Sequence, residues 1–156
     1  MHGVYVVKLS CVVWEGMLIC YQAHAHIATL HYLSTASNNP PSLSSLALAL
    51  KHFCRSIELN DSYLRGYYGI KLVTSKLIPL LSDSPSTSNK RGNAQEEDDV
   101  PLPKLATVKK LEEIATNKLG EIVRNASAGK QGWTGYDKAE VIAARELLDR
   151  DGKIER

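Results

Sequence analysis

A chain of 156 residues has room for one core or a short stack of repeats, and with 44% hydrophobic and 23% charged residues most of it can bury enough surface to fold, which excludes wholesale disorder. A formal charge of +2, from nineteen basic and seventeen acidic side chains, excludes the continuous basic field that a nucleic-acid backbone demands. Three cysteines, Cys11, Cys20 and Cys54, form no tight pair, which argues against a disulfide framework and for a reducing, cytosolic setting.

Residues 1–21 read as the remnant of a preceding repeat or an irregular N-terminus. The apolar run Leu9–Trp14 is far shorter than the roughly 20 residues a bilayer span needs, and Lys8 and Glu15 interrupt its surroundings. Val4–Val7 is the one weak strand candidate. From Gln22 to Thr35, Ala25, Ala28 and Tyr32 recur at helical spacing, with Ile27, Leu30 and Leu33 widening the expected buried face. Ser34–Ser45, with Asn38, Asn39 and the Pro40-Pro41 pair, reads as a loop. Leu46–Leu59 is helical again, and Asn60-Asp61-Ser62 supplies a break of the kind that joins antiparallel helices.

The third helix is expected over Tyr63–Leu77, burying Leu64, Tyr67, Tyr68, Leu72 and Ser75, until Pro79 stops it. Residues 82–103 are rich in Ser, Asn, Pro and acidic side chains and read as a flexible, disordered insertion, too poor in large apolar groups to offset the entropy of ordering. Lys104–Arg124 places Leu105, Val108, Leu111, Ala115, Leu119 and Ile122 on one face, with Lys109, Lys110, Glu112 and Glu113 outside. Gly129, Gly132 and Gly135 around Trp133 suit an irregular turn whose indole packs back on the helices. A last helix over Asp137–Arg150 opens on an imperfect capping box, Asp137 with Glu140, and carries a stripe of Val141, Ala144 and Leu148 widened by Ile142. The fold class is all-α.

Residues with chemical potential read mostly as structure. Of His24, His26 and His31, positions 24 and 26 point apart on a helix, leaving only Cys20 with His24 as a pair, so no metal site is expected. Cys54 lacks a facing histidine, since His52 projects elsewhere, and reads as a small buried hydrophobe. The three glycines have neither a preceding strand nor a following Gly-Lys-Ser/Thr and form no phosphate loop. No catalytic residue and no cofactor is expected. Tyr63, Arg65 and Tyr67 are the candidate partner-binding residues, because Tyr and Arg are enriched at interface hot spots; Tyr68 is assigned to the core.

A test for repeats is positive but ragged. Ala49, Phe53, Ser56, Ile57, Leu59 and Asp61 match the second half of a tetratricopeptide repeat, with Ser56 at the usual alanine and Asp61 at the usual proline. Tyr68-Gly69 and Leu72 then supply the large residue, the glycine and the bulky residue of the next helix. Small residues in such a pattern let helices approach and large ones fill the matching holes. Ile27-Ala28 is a candidate for the Tyr68-Gly69 role one repeat earlier, and Ala115, Leu119 and Ile122 for the second-helix role one repeat later.

Taken with Ala23–Ala28, Tyr32-Leu33, Arg55–Asp61, Tyr63–Gly69, Lys71-Leu72 and the tail from Trp133 through Tyr136-Asp137 to Ala143–Leu148, the chain resembles a known family over about Gln22–Asp151. It is the tetratricopeptide-repeat subunit 2 of the endoplasmic reticulum membrane protein complex, in its fungal form and its C-terminal part. The resemblance implies a solenoid of antiparallel helix pairs, with tetratricopeptide-like helices over 22–81 and C-terminal helices over 104–150. It further implies a non-catalytic scaffold supporting insertion of transmembrane segments, with the other subunits of that complex as partners. The protein would sit on the cytoplasmic face of the endoplasmic reticulum membrane and reach it only through those partners. Because the family carries further repeats before this region, the resemblance implies that the chain corresponds to the later part of a longer solenoid. The alternative is a free tetratricopeptide adaptor binding peptide tails, for which Arg55, Arg65 and Lys71 are the candidate carboxylate-binding cations.

Overall fold

The computed structural model describes residues 21–35, 42–83 and 101–154, and all regular structure among them is α-helix. Helical residues 21–34 (α1) are followed by α2 (Leu43–Leu59), α3 (Leu64–Asp83), α4 (Leu105–Ser127) and α5 (Lys138–Ile154). The readings of residues 1–20, of 36–41 within the first loop and of 84–100 within the expected insertion lie outside the described residues, as do Cys11 and Cys20.

Local chemistry moves several boundaries. α2 begins three residues before the expected Leu46 because Ser42, just past the proline pair, caps it, its hydroxyl accepting from Ser45 N. Its end is as expected: Asn60 Oδ1 accepts from the amide and the hydroxyl of Ser62, folding the 60–62 break. Pro79 does not stop α3, which runs on to Asp83 with the proline inside it. Pro79 and Ser75 both lie exposed, while buried Leu77 and the half-buried Ile78, Leu80 and Leu81 hold the last turns on the core. Tertiary packing outweighs the local penalty here.

α4 likewise passes the expected Arg124 and ends where glycine closes it. Gly129 adopts φ +62°, its amide donates to Ala126 O, and Lys130 N donates to Asn125 O, the two bonds of a Schellman cap. Gly132 also takes positive φ, and Trp133 packs half-buried on the core and stacks with Tyr136, as expected for this turn. At the start of α5 the capping box is half made. Asp137 Oδ1 accepts from Ala139 N, but Glu140 reaches Arg65 instead of turning back.

Consecutive helices from α2 onward run antiparallel: Phe53 and Ile57 meet Gly69 and Gly66, Lys71 Nζ donates to Glu112 Oε1 at 3.0 Å, and Arg145 bonds Ser127. α1 lies alongside α3 in the same direction, with Tyr21 edge-on to Tyr63 at one end and Lys76 over the Tyr32 ring at the other. The core follows this arrangement. Leu46, Ala49, Leu50 and Phe53 of α2 and Ile70, Val73 and Leu77 of α3 join Val108, Ala115, Leu119 and Ile122 of α4, closed by Val141 and Ala144 of α5.

Three expected faces depart from the spacing. Ser75 is exposed, and Gly66, Ile70, Val73 and Leu77 form the buried stripe of α3, leaving Tyr68 and Leu72 half-exposed. In α5, Leu147 is buried and Ile142 is 57% exposed. On α1, Tyr21, Ala25 and Ala28 are buried, whereas Ile27, Leu30 and Leu33 face outward. No helix among the described residues is long and apolar enough to cross a membrane.

Ser56 is fully buried and its hydroxyl has no hydrogen-bond partner among the described residues. Ser56→Ala removes an unsatisfied polar group from the α2–α3 seam and should raise stability by about 1 kcal/mol. A higher urea midpoint with an unchanged slope is the expected readout; a lower midpoint would show the hydroxyl to be satisfied.

Candidate functional site

The same-direction helices α1, α3 and α5 enclose a groove of about 820 Å³, within the range of small-ligand and peptide pockets. Gln22, Ala25, His26, Thr29 and Tyr32 come from α1. Tyr63 just before α3, with Arg65, Tyr68, Gly69 and Leu72 of that helix, forms the floor, and Glu140 and Ala143 of α5 close one end. α4 packs behind, and α2 reaches the groove only through Phe53.

The wall is mainly aromatic and aliphatic, with its charge concentrated at one end. There Arg65 Nε donates to Glu140 Oε1 at 2.6 Å, tying α3 to α5. This bond, more than the carboxylate's charge alone, makes the guanidinium harder to deprotonate than usual. The Arg65 side chain is 65% exposed, so the pair adds little stability and serves chiefly to position both groups. Tyr63, beside it, has its phenol pushed above the usual value, chiefly by burial.

Of the three residues predicted to touch a partner, the fold brings Tyr63 and Arg65 together at the groove but not Tyr67. Tyr67 is 7% exposed, and its hydroxyl donates to Asp61 O at 2.9 Å, pinning the turn before α3. Tyr68, expected in the core, lines the groove instead, as does Leu72. The exchange follows from the close approach of α2 at Gly66 and Gly69, which turns positions 66, 70, 73 and 77 inward and leaves 65, 68 and 72 on the open side.

The basic residues proposed for carboxylate binding are dispersed. Arg55 Nη1 bonds Glu58 at 2.9 Å on the surface, Arg65 engages Glu140, and Lys71 is buried against Glu112 on the side of α3 facing α4. The Cys54 thiol is half-buried, and burial, reinforced by Glu58, raises its pKa to about 11, so it stays protonated at neutral pH.

The histidines divide as helix geometry requires. His26 faces the groove, while His24 and His31, seven residues apart and therefore on one face, meet His52 of α2. The reading of single positions missed this meeting; the i, i+7 spacing was the available signal. Among the described residues no group of three or more His, Cys, Asp or Glu side chains is placed to hold a metal ion. Compared with known proteins, the chain matches no family model, no curated protein and no solved structure.

Proposed function

We propose that this chain is a non-catalytic, tetratricopeptide-like scaffold that holds an apolar segment of a partner protein in the groove between α1, α3 and α5. The observation that carries the reading is the arrangement of that groove. Three helices running the same way line one open, mainly apolar wall, and the alternate helices α2 and α4 pack behind it. Stacked helix pairs place their binding surfaces in this way, because each pair buries its own seam and leaves one face of the stack concave. Gly69 seated against Phe53 supports the same reading, since a glycine opposite an aromatic is the close approach that the repeat pattern requires at those two positions.

The sequence resemblance supplies the partner in this proposal: other subunits of the endoplasmic reticulum membrane protein complex, reached on the cytoplasmic face of that membrane, where the complex inserts transmembrane segments. A free adaptor for peptide tails is less well supported, because Arg55, Arg65 and Lys71 form no shared cationic clamp.

Affinity purification of the tagged full chain from detergent-solubilised membranes, with mass spectrometry of the recovered proteins, tests the assignment. Recovery of the complex's membrane subunits in near-equal amounts is expected. A recovered set lacking all of them would overturn the assignment to that complex.

A further inference from the structure

α1 forms one wall of the groove. The side chains it buries are Tyr21, Ala25 and Ala28, two of them alanines, and its larger aliphatic groups, Ile27, Leu30 and Leu33, face outward. It also meets α2 through three imidazoles. His24 Nδ1 and His52 Nδ1 are 2.9 Å apart, with their rings stacked at 5.2 Å, and the His31 ring lies nearly parallel to that of His52 at 6.0 Å.

We propose that His52, bonded to His24 and parallel to His31, is a proton-operated latch, which holds α1 on α2 while it is neutral and releases that wall of the groove when it is acidified. A nitrogen-to-nitrogen hydrogen bond needs one N–H and one lone pair, so at least one of the two facing Nδ1 atoms is unprotonated in this arrangement. Once both Nδ1 atoms carry a proton the acceptor is gone and two N–H groups point at each other, with the His31 ring beside them. The bond that joined the helices then becomes a repulsion.

The titratable and charged groups acting on His52 are His24 and His31 from α1 and Lys51 from its own helix. α3 meets α2 through Phe53, Ser56 and Ile57 instead. Burial, first, and then these three neighbours lower the pKa of His52 from its ordinary 6.5. With the folded value below the unfolded one, the unfolded chain binds more protons in the window between them. The stabilising contribution is therefore complete above about pH 6.5 and is lost as pH falls from there toward the folded value. Because both partners of His52 belong to α1, the loss falls on that helix first.

The latch depends on the α1–α2 seam and not on what the groove holds, so it stands or falls separately from the proposed function. Amide hydrogen exchange on the full chain at pH 7.5 and pH 5.5, with EDTA present and rates corrected for intrinsic exchange, reads it directly. Protection across residues 21–34 is expected to fall severalfold at pH 5.5, with that of α3 and α4 unchanged. His26→Gln, outside the stack, should keep this drop, and His52→Gln should abolish it. If His52→Gln loosens α1 at both pH values, His24→Gln becomes the deciding variant and must flatten the pH difference. Equal protection of native α1 at the two pH values, or a full drop surviving in both stack variants, would overturn the latch.

Discussion

Gly69→Ala should destabilise the protein by about 1–3 kcal/mol, although replacing a mid-helix glycine by alanine ordinarily stabilises by about 1 kcal/mol. The sign reverses because a Cβ at this position would be built into the Phe53 ring, against its Cδ1, Cε1 and Cζ atoms. Phe53 is 5% exposed, and its open side is the groove it helps to line. Relief therefore comes either from separating α2 and α3 or from pushing the ring into the groove, so the variant loses stability and groove volume together. Gly120→Ala on α4 is the matched control, since nothing lies within 4 Å of its Cβ position; there the propensity gain of about 0.5–1 kcal/mol should appear. Urea unfolding of the two variants should shift the midpoint in opposite directions. Phe53→Leu combined with Gly69→Ala should cost less than the sum of the single changes, because the two side chains share one clash.

The largest single loss is expected for Leu119→Ala, at about 2–5 kcal/mol and roughly 10 °C in Tm. Leu119 is fully buried on α4, in the core cluster that also holds Ile70, Ala115 and Ile122. Among α2 to α5, α3 alone packs against each of the other three, so a cavity beside it weakens the element on which the others depend. Ile114→Ala on the same helix, at a residue 54% exposed, should change stability by no more than about 0.5 kcal/mol. Thermal melts of both variants check the contrast, and similar losses in the two would contradict the assigned face of α4.

α4 was legible in the sequence because most of its apolar residues occupy one stripe and its charges the other, and four of its five buried residues, Val108, Ala115, Leu119 and Ile122, lie within the predicted face, Val123 being the exception. α1 and α3 were legible as helices but not in orientation. Apolar side chains surround much of α1, so periodicity alone did not decide that Ala25 and Ala28 go inward while Leu30 and Leu33 go outward. On α3 two apolar stripes compete, and the glycine contacts with α2 select the one that is buried. The groove was legible only in part, because its walls come from positions as far apart as Gln22 and Ala143. Tyr63 and Arg65 were found as an aromatic and basic pair, but Glu140 first read as half of a capping box. Its partner lies 75 residues earlier in the chain, and no local pattern announces such a contact.

The central claim is that the groove between α1, α3 and α5 holds a partner, and replacing its floor tests this most directly. Tyr68→Glu and Leu72→Glu place a carboxylate in the groove at positions that are only half-buried, so the fold should survive, while Ile114→Glu places the same charge on α4, which does not line the groove. Partner recovery should be measured by quantitative mass spectrometry on tagged full-length chains, each first shown to match the native helical content and melting temperature. The account predicts that recovery falls at least tenfold for both groove variants and stays near native for Ile114→Glu. Native recovery with a charged groove, or equal loss from all three variants, would contradict it.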